Sequence, residues 1–164
     1  VKLVVMGCSA TKREDAGTMP AIDRYDGPMW RTLRARLAEL PAARDAIASG
    51  ELLITVLSAR HGFIPADVQI ENYDCRMTEA RAADICRDPS YDHHQMAIRF
   101  AAAQDVLFAG GQMYRDAMWK ASNASLARIM DVTETDGAGI GVHRAQIGAW
   151  FQRHYGGQQM ALAA

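Results

Sequence analysis

Little in this sequence points to a membrane, a metal or a covalent framework. Its three cysteines, Cys8, Cys75 and Cys86, are odd in number and scattered, with neither zinc spacing nor a disulfide pattern. That usage reads as reduced thiols in a cytoplasm. No apolar run approaches the ~20 residues that cross a bilayer, and the chain enters a strand-like segment at once, leaving no room for a signal peptide. An excess of one charge is missing too. The formal net charge is −1, so nothing global attracts a polyanion, and a nucleotide or nucleic-acid site must be a local cluster of Arg and Lys. Internal repeats and linkers are also absent. The expectation is a soluble cytoplasmic protein with no membrane partner.

What is present suits one domain. A length of 164 residues, with 49% hydrophobic and 23% charged residues, fits a single globular core and no more. Residues 1–155 are expected to form it, with a flexible tail over 156–164. Lys2–Cys8 is a continuous apolar run ending in small residues, the pattern of a buried parallel strand. Leu52–Leu57 and Asp105–Ala109 repeat it, and Leu126–Val132 is a fourth candidate. Between them lie helical patterns. Pro28 precedes Met29, Leu33, Leu37 and Leu40 at helical spacing; Ala42–Ser49 follows, closed by Gly50. Further helices are expected from Thr78, over Tyr91–Ala103 beyond Pro89, over Gln112–Ser122, and around Arg144–His154. Ser9–Gly27 is a long polar loop, Ala59–Pro65 a turn, and Val68–Tyr73 a short extended piece. Strands alternating with helices give the fold class: α/β, a three-layer sandwich on a mostly parallel, Rossmann-like sheet of about four strands.

In such a sheet ligands bind outside the carboxyl ends of the strands. That rule selects Gly7–Lys12, Ser58–Gly62 and Gly110–Tyr114. The first, GCSATKR, is phosphate-friendly: small residues expose backbone N–H groups, and Lys12 or Arg13 adds charge. It lacks the second glycine and the Lys-Ser/Thr pair of a P-loop, and a plain strand end with solvated cations reads the same way. Cys8 fits a small buried residue better than a nucleophile, since no nearby base is indicated. In LSARHGF, Gly62 permits a sharp turn, His61 is a candidate acid/base, and Arg60 can hold a phosphate. A hydrogen-bonded structural histidine is the alternative.

ENYDCRM sets Glu71 and Asp74 beside Tyr73. A buried carboxylate next to an aromatic ring suits a nucleoside, the ring stacking on the base and the carboxylate stabilising an oxocarbenium-like centre. The same residues can instead cap the helix near Thr78. Gly110 and Gly111 precede a helix whose first turn carries Tyr114, and Gly137–Gly141 precedes the last helix. Tyr25, Trp30, Arg31, Arg34 and Arg36 alternate aromatics with arginines, as a nucleic-acid groove or the solvent face of a helix does. Asp92, His93 and His94 look metal-like, but adjacent histidines on a helix diverge, so neither a metal nor a cofactor is expected.

Together these segments resemble a family of small bacterial and phage proteins labelled YaaA-like, mostly domains of unknown function. Its members run as a strand ending in CSxxK, then LYxGxxFR, LSAKHGL, PYDxxL, AGxxY and a late Gly-rich turn before a helix. The matching pieces here are Gly7, Cys8, Ser9 and Lys12; Arg24 to Gly27 with Trp30 and Arg31; and Leu57 to Gly62. They continue with Asn72, Tyr73, Asp74 and Met77, then Ala109, Gly110 and Tyr114, then Gly139 to Gly141. Asn72 stands for the usual proline and Trp30 for the usual phenylalanine. The resemblance implies the same fold and a link to stress, DNA or nucleotide metabolism, with phage members hinting at modified nucleobases.

Three functions follow as expectations. The first is an enzyme cleaving or exchanging an N-glycosidic bond of a nucleotide or nucleic-acid base. Asp74, Glu71 and His61 would be its catalytic residues. Cys8, Ser9, Lys12, Tyr25, Arg31, Ser58, Arg60, Gly62, Tyr73, Gly110 and Tyr114 would bind substrate. The second is a non-catalytic nucleic-acid-binding protein with a basic stripe of Lys12, Arg13, Arg31, Arg34 and Arg60. The third is an accessory protein whose Met-rich surface, from a chain with nine methionines in all, contacts another chain, with self-association left open.

Overall fold

A computed structural model of the chain describes residues 1–87, 100–122 and 131–157. The apolar run Lys2–Gly7 forms β1, which pairs in parallel with β3 (Leu52–Ser58) on one side and with β6 (Asp105–Ala109) on the other. β7 (Asp131–Glu134) adds in parallel to β6. The fifth strand, β4 (Gly62–Pro65), runs antiparallel to β3. The sheet is therefore mixed but mostly parallel, in the order β4-β3-β1-β6-β7. The sequence pattern counted about four strands because Ala59–Pro65 reads as one turn. Only residues 59–61 make that turn. Gly62, at φ +70, reverses the chain, and Phe63 is buried as β4 folds back on β3.

The sheet is covered on both faces. Val4 and Met6 of β1 share one core cluster with Trp30, Leu33 and Leu37 of α2 (Pro28–Glu39), Ala43 of α3 (Pro41–Ala48) and Trp150 of the last helix. Leu3 and Val5, pointing the other way, join Ala82 and Ile85 of α4 (Glu79–Arg87) and Ala117 and Met118 of α5 (Gln112–Ser122). This alternation along one strand makes a period-2 run serve two helical layers. The last helix, α6 (Ile140–Tyr155), starts earlier than its amphipathic pattern suggests, on Gly139 at φ +93.

The long loop after β1 is not plain coil. It contains β2 (Met19–Pro20), paired with β5 (Gln69–Ile70), and the single turn α1 (Ala21–Arg24). Pro28 is the first residue of α2, where a missing N–H costs nothing, and the Thr78 hydroxyl accepts from the Arg81 N–H to cap α4. β7 lies later than the expected Leu126–Val132, of which 126–130 fall outside the described residues. The Pro89 break, most of the Tyr91–Ala103 helix with Asp92, His93 and His94, and positions 158–164 of the tail fall outside them too. Among the described residues no helix is long and apolar enough to cross a membrane.

Candidate functional site

Strand order reverses between β1 and β6: the chain leaves β1 for β3 on one side and returns to β6 on the other. The crevice outside the carboxyl ends of these strands is where open α/β sheets bind ligands. The residues that follow those strand ends are Cys8 and Ser9 after β1 and Arg60 and His61 in the β3–β4 turn, with Tyr114 of α5 against Cys8. At Gly7 a Cβ would come within 2.9 Å of the Tyr114 ring, so glycine is what lets that ring lie across the end of β1. The Cys8 Sγ is 3.3 Å from the Tyr114 hydroxyl and accepts from the Ala59 N–H at 3.4 Å.

Beneath this crevice three hydroxyls close a triangle. The Tyr25 hydroxyl lies 3.1 Å from Ser58 Oγ and 2.5 Å from the Tyr73 hydroxyl, and the latter lies 2.8 Å from Ser58 Oγ. Ser58 Oγ also accepts from the N–H groups of Arg60 (3.2 Å) and His61 (3.1 Å), which shapes the turn that presents them. Tyr25 and Ser58 are fully buried and Tyr73 nearly so. Burial pushes the Tyr25 phenol up to about 12 and raises those of Tyr73 and Tyr114 as well. All three stay protonated, as donors and acceptors rather than bases.

Above the triangle sit two cations. Lys12 Nζ lies 4.3 Å from the centre of the Tyr73 ring and 5.9 Å from that of Tyr25; the Arg60 guanidinium lies 5.8 Å from Tyr73. Neither is in an ion pair among the described residues. His61 meets the Tyr73 ring edge-on at 5.3 Å and is half-buried. Burial, then the nearby Arg60 charge, lowers its pKa below the ordinary imidazole value, so it is neutral near pH 7.

Several expected contacts fall elsewhere. Glu71 and Asp74 are exposed, so the carboxylate beside the Tyr73 ring is not a buried one. The Tyr25 ring packs 5.3 Å from Trp30, which removes it as a stacking platform; with Ser58 and Gly62 it builds the floor. The Gly110 N–H donates to Thr135 Oγ1 and the Gly110 carbonyl accepts from Arg115, so its backbone is committed to the fold rather than to an anion. Ser9 Oγ accepts from the Thr11 N–H and faces Gly27, where a Cβ would lie 2.2 Å away. The basic stripe is broken: Arg13 pairs with Asp15, while Arg31 and Arg34 share Asp26.

Two arginines that hold the site were missed. Arg81 donates from Nε to the Ala59 carbonyl and from Nη2 to the Arg60 carbonyl, fixing the turn from beneath. Arg24, fully buried, holds the loop that carries Lys12. A charged residue gathering carbonyls has no sequence signature apart from its type.

The depressed histidines give a pH prediction. Desolvation lowers both His61 and His154, so the unfolded chain binds their protons first. The stability they allow is complete above the ordinary value of about 6.5 and is lost as pH falls through their lower folded values. A lower urea midpoint at about pH 5 than at about pH 7.5 is expected, with the gap narrowed by His61→Gln. Equal midpoints would contradict the assignment.

No curated protein and no solved structure matches the chain. The model of a family of unknown function matches residues 3–147, a span that takes in the whole crevice. The chain belongs to that family, DUF6884.

Proposed function

We propose that the chain is an enzyme acting on a nucleotide or nucleic-acid base, cleaving or exchanging an N-glycosidic bond. One observation carries this reading: two cations without acidic partners among the described residues, Lys12 and Arg60, converge with a neutral half-buried His61 on the Tyr73 ring at a strand-end crevice. A phosphate is the natural counterion for such a pair, and a parallel sheet running 2-1-3-4, read as Rossmann-like, is a common setting for nucleotides. The free thiols fit a reducing cytoplasm.

Lys12 and Arg60 hold the phosphate, and the base lies towards Tyr114 and Cys8. Asp74, or Glu71 beside it, stabilises the sugar cation as the bond from C1′ to the base nitrogen breaks. Water adds at C1′, and one of its protons reaches the departing nitrogen with His61 as shuttle. Both carboxylates are exposed and would lose solvent only when substrate covers them.

Incubation with a panel of normal and modified nucleotides and DNA tests the reading. Free base should appear from at least one member, and Asp74→Ala should slow its release by about a hundredfold or more. No release from any member would refute the proposal. The exposure of Glu71 and Asp74 favours a second reading, a nucleic-acid-binding protein without chemistry, which predicts binding with no release.

A further inference from the structure

A second cationic site lies beside the crevice. Between α2 and α6 the surface opens into a cavity of about 460 Å³ lined by Arg31, Thr32, Arg36, Gly141, Arg144 and two alanines, without a carboxylate among them. Its three guanidinium groups are not fully neutralised. Arg31, 61% exposed along its side chain, reaches Asp26, which also serves Arg34. Arg36 pairs with Glu39 at 2.7 Å, and its Nε is buried without a partner among the described residues. Arg144 donates to the Thr32 hydroxyl at 2.9 Å and is in no ion pair among the described residues. Thr32 in turn donates to the Pro28 carbonyl, so the hydroxyl has its acceptor side turned to Arg144 and fixes that guanidinium at the cavity.

Backbone charge adds to this. α6 is 16 residues long and begins at the cavity; its N-cap, Gly139, supplies no side chain to its first N–H groups. The positive end of the helix therefore meets the three arginines, and the small side chains at positions 35, 141 and 145 leave room for an anion to approach. This explains two sequence features that the crevice does not use, the arginines of α2 and the late glycine-rich turn.

The two sites are linked. Arg31 binds Asp26, whose N–H donates to the Thr11 carbonyl in the loop carrying Ser9 and Lys12. Thus Arg31, its own charge offset by Asp26, connects the Lys12 loop to the cavity that Arg36 and Arg144 line. A free nucleotide offers phosphate at one end only, and Lys12 with Arg60 suffices for it. We infer that the α2–α6 cavity holds backbone phosphates of a polynucleotide, so that the substrate is a nucleic-acid strand rather than a free nucleotide. This rests on the reading of the crevice as a nucleotide site.

The test measures binding, not turnover. A fluorescein-labelled single-stranded oligodeoxynucleotide is titrated with the full chain at several salt concentrations, reading anisotropy. Arg31→Gln, Arg36→Gln and Arg144→Gln should each weaken binding about fivefold or more, and each should reduce the slope of log affinity against log salt by about 0.7. Arg153→Gln, a remote exposed arginine on the same helix paired with Asp131, should stay within about twofold of the wild type. Arg31→Gln alters an exposed side chain, so it reports on the cavity even if Arg144→Gln disturbs folding. Lining variants that bind like the wild type would overturn the inference, as would an equal loss from Arg153→Gln. Displacement of the oligonucleotide by a nucleoside monophosphate at equal phosphate concentration would overturn it too. Salt-sensitive binding through these arginines with no free base released would leave the cavity assignment standing and remove the glycosidic one. Base release with lining variants that bind normally would do the reverse.

Discussion

Trp30→Ala is expected to lower the unfolding free energy by about 3–5 kcal/mol, the range for emptying a large aromatic site in a core. Trp30 is 1% exposed, packs on the Tyr25 ring and belongs to the cluster that joins α2 to β1. For a chain of this size the loss corresponds to a melting temperature lower by roughly 10 °C. Its indole Nε1 donates to the Gly7 carbonyl at 3.0 Å, at the end of β1 where Cys8 and Ser9 begin. Trp30→Phe separates the two contributions. It keeps most of the apolar body and removes the donor, so about 1–3 kcal/mol should be lost. A Phe variant as stable as the wild type would show that the hydrogen bond contributes nothing net. The Phe substitution bears on the site as well: without the indole anchor the Gly7–Ser9 segment is held on the α2 side by packing alone.

Much of this architecture was legible because it depends on local pattern. KLVVMG, LLITVL and DVLFA are strands because a two-sided sheet needs unbroken apolar runs, and each is found where its run lies. The strand-end rule selects segments that the structure does bring together in part: Cys8 meets both Ala59 and Tyr114. β4 was hidden for the opposite reason. Four residues, GFIP, with a glycine and a proline carry the composition of a turn, and only pairing with β3 makes them a strand. Whether a polar side chain faces ligand or core was also invisible. The Tyr25 hydroxyl is satisfied by Ser58 and Tyr73, 33 and 48 residues away, a closure that no window along the chain contains. Glu71 and Asp74 flank Tyr73 in sequence, but the ring turns inward while both carboxylates stay outside.

Arginines were the hardest to read, and Arg24 carries the second large effect: Arg24→Ala is expected to remove about 3 kcal/mol and to loosen the Lys12 loop. Its guanidinium is fully buried and meets backbone oxygens rather than a carboxylate side chain. Nη1 donates to the carbonyls of Arg13 (2.7 Å) and Asp15 (2.9 Å), and Nη2 to those of Gly17 (2.6 Å) and Ile70 (3.4 Å). Hydrogen bonds to a charged group typically contribute about 1.5–3 kcal/mol net each, and four of them would sum to far more than 3. The net is smaller because residues 13, 15 and 17 are exposed and their carbonyls can turn to water once released. Burying the cation also costs desolvation that the alanine variant recovers. What is not recovered is the order of the loop. Arg24 ties positions 13 to 17 to β5 at Ile70, and Lys12 is held above Tyr73 at the root of that loop. Stability and site should therefore fail separately. Limited proteolysis ought to cut the variant within residues 11–18 at temperatures where the rest of the domain is folded, and Arg24→Lys should rescue it only in part, since one ammonium cannot span both carbonyl pairs. An alanine variant with wild-type melting and an uncut loop would mean that β2–β5 pairing, rather than Arg24, holds Lys12 in place.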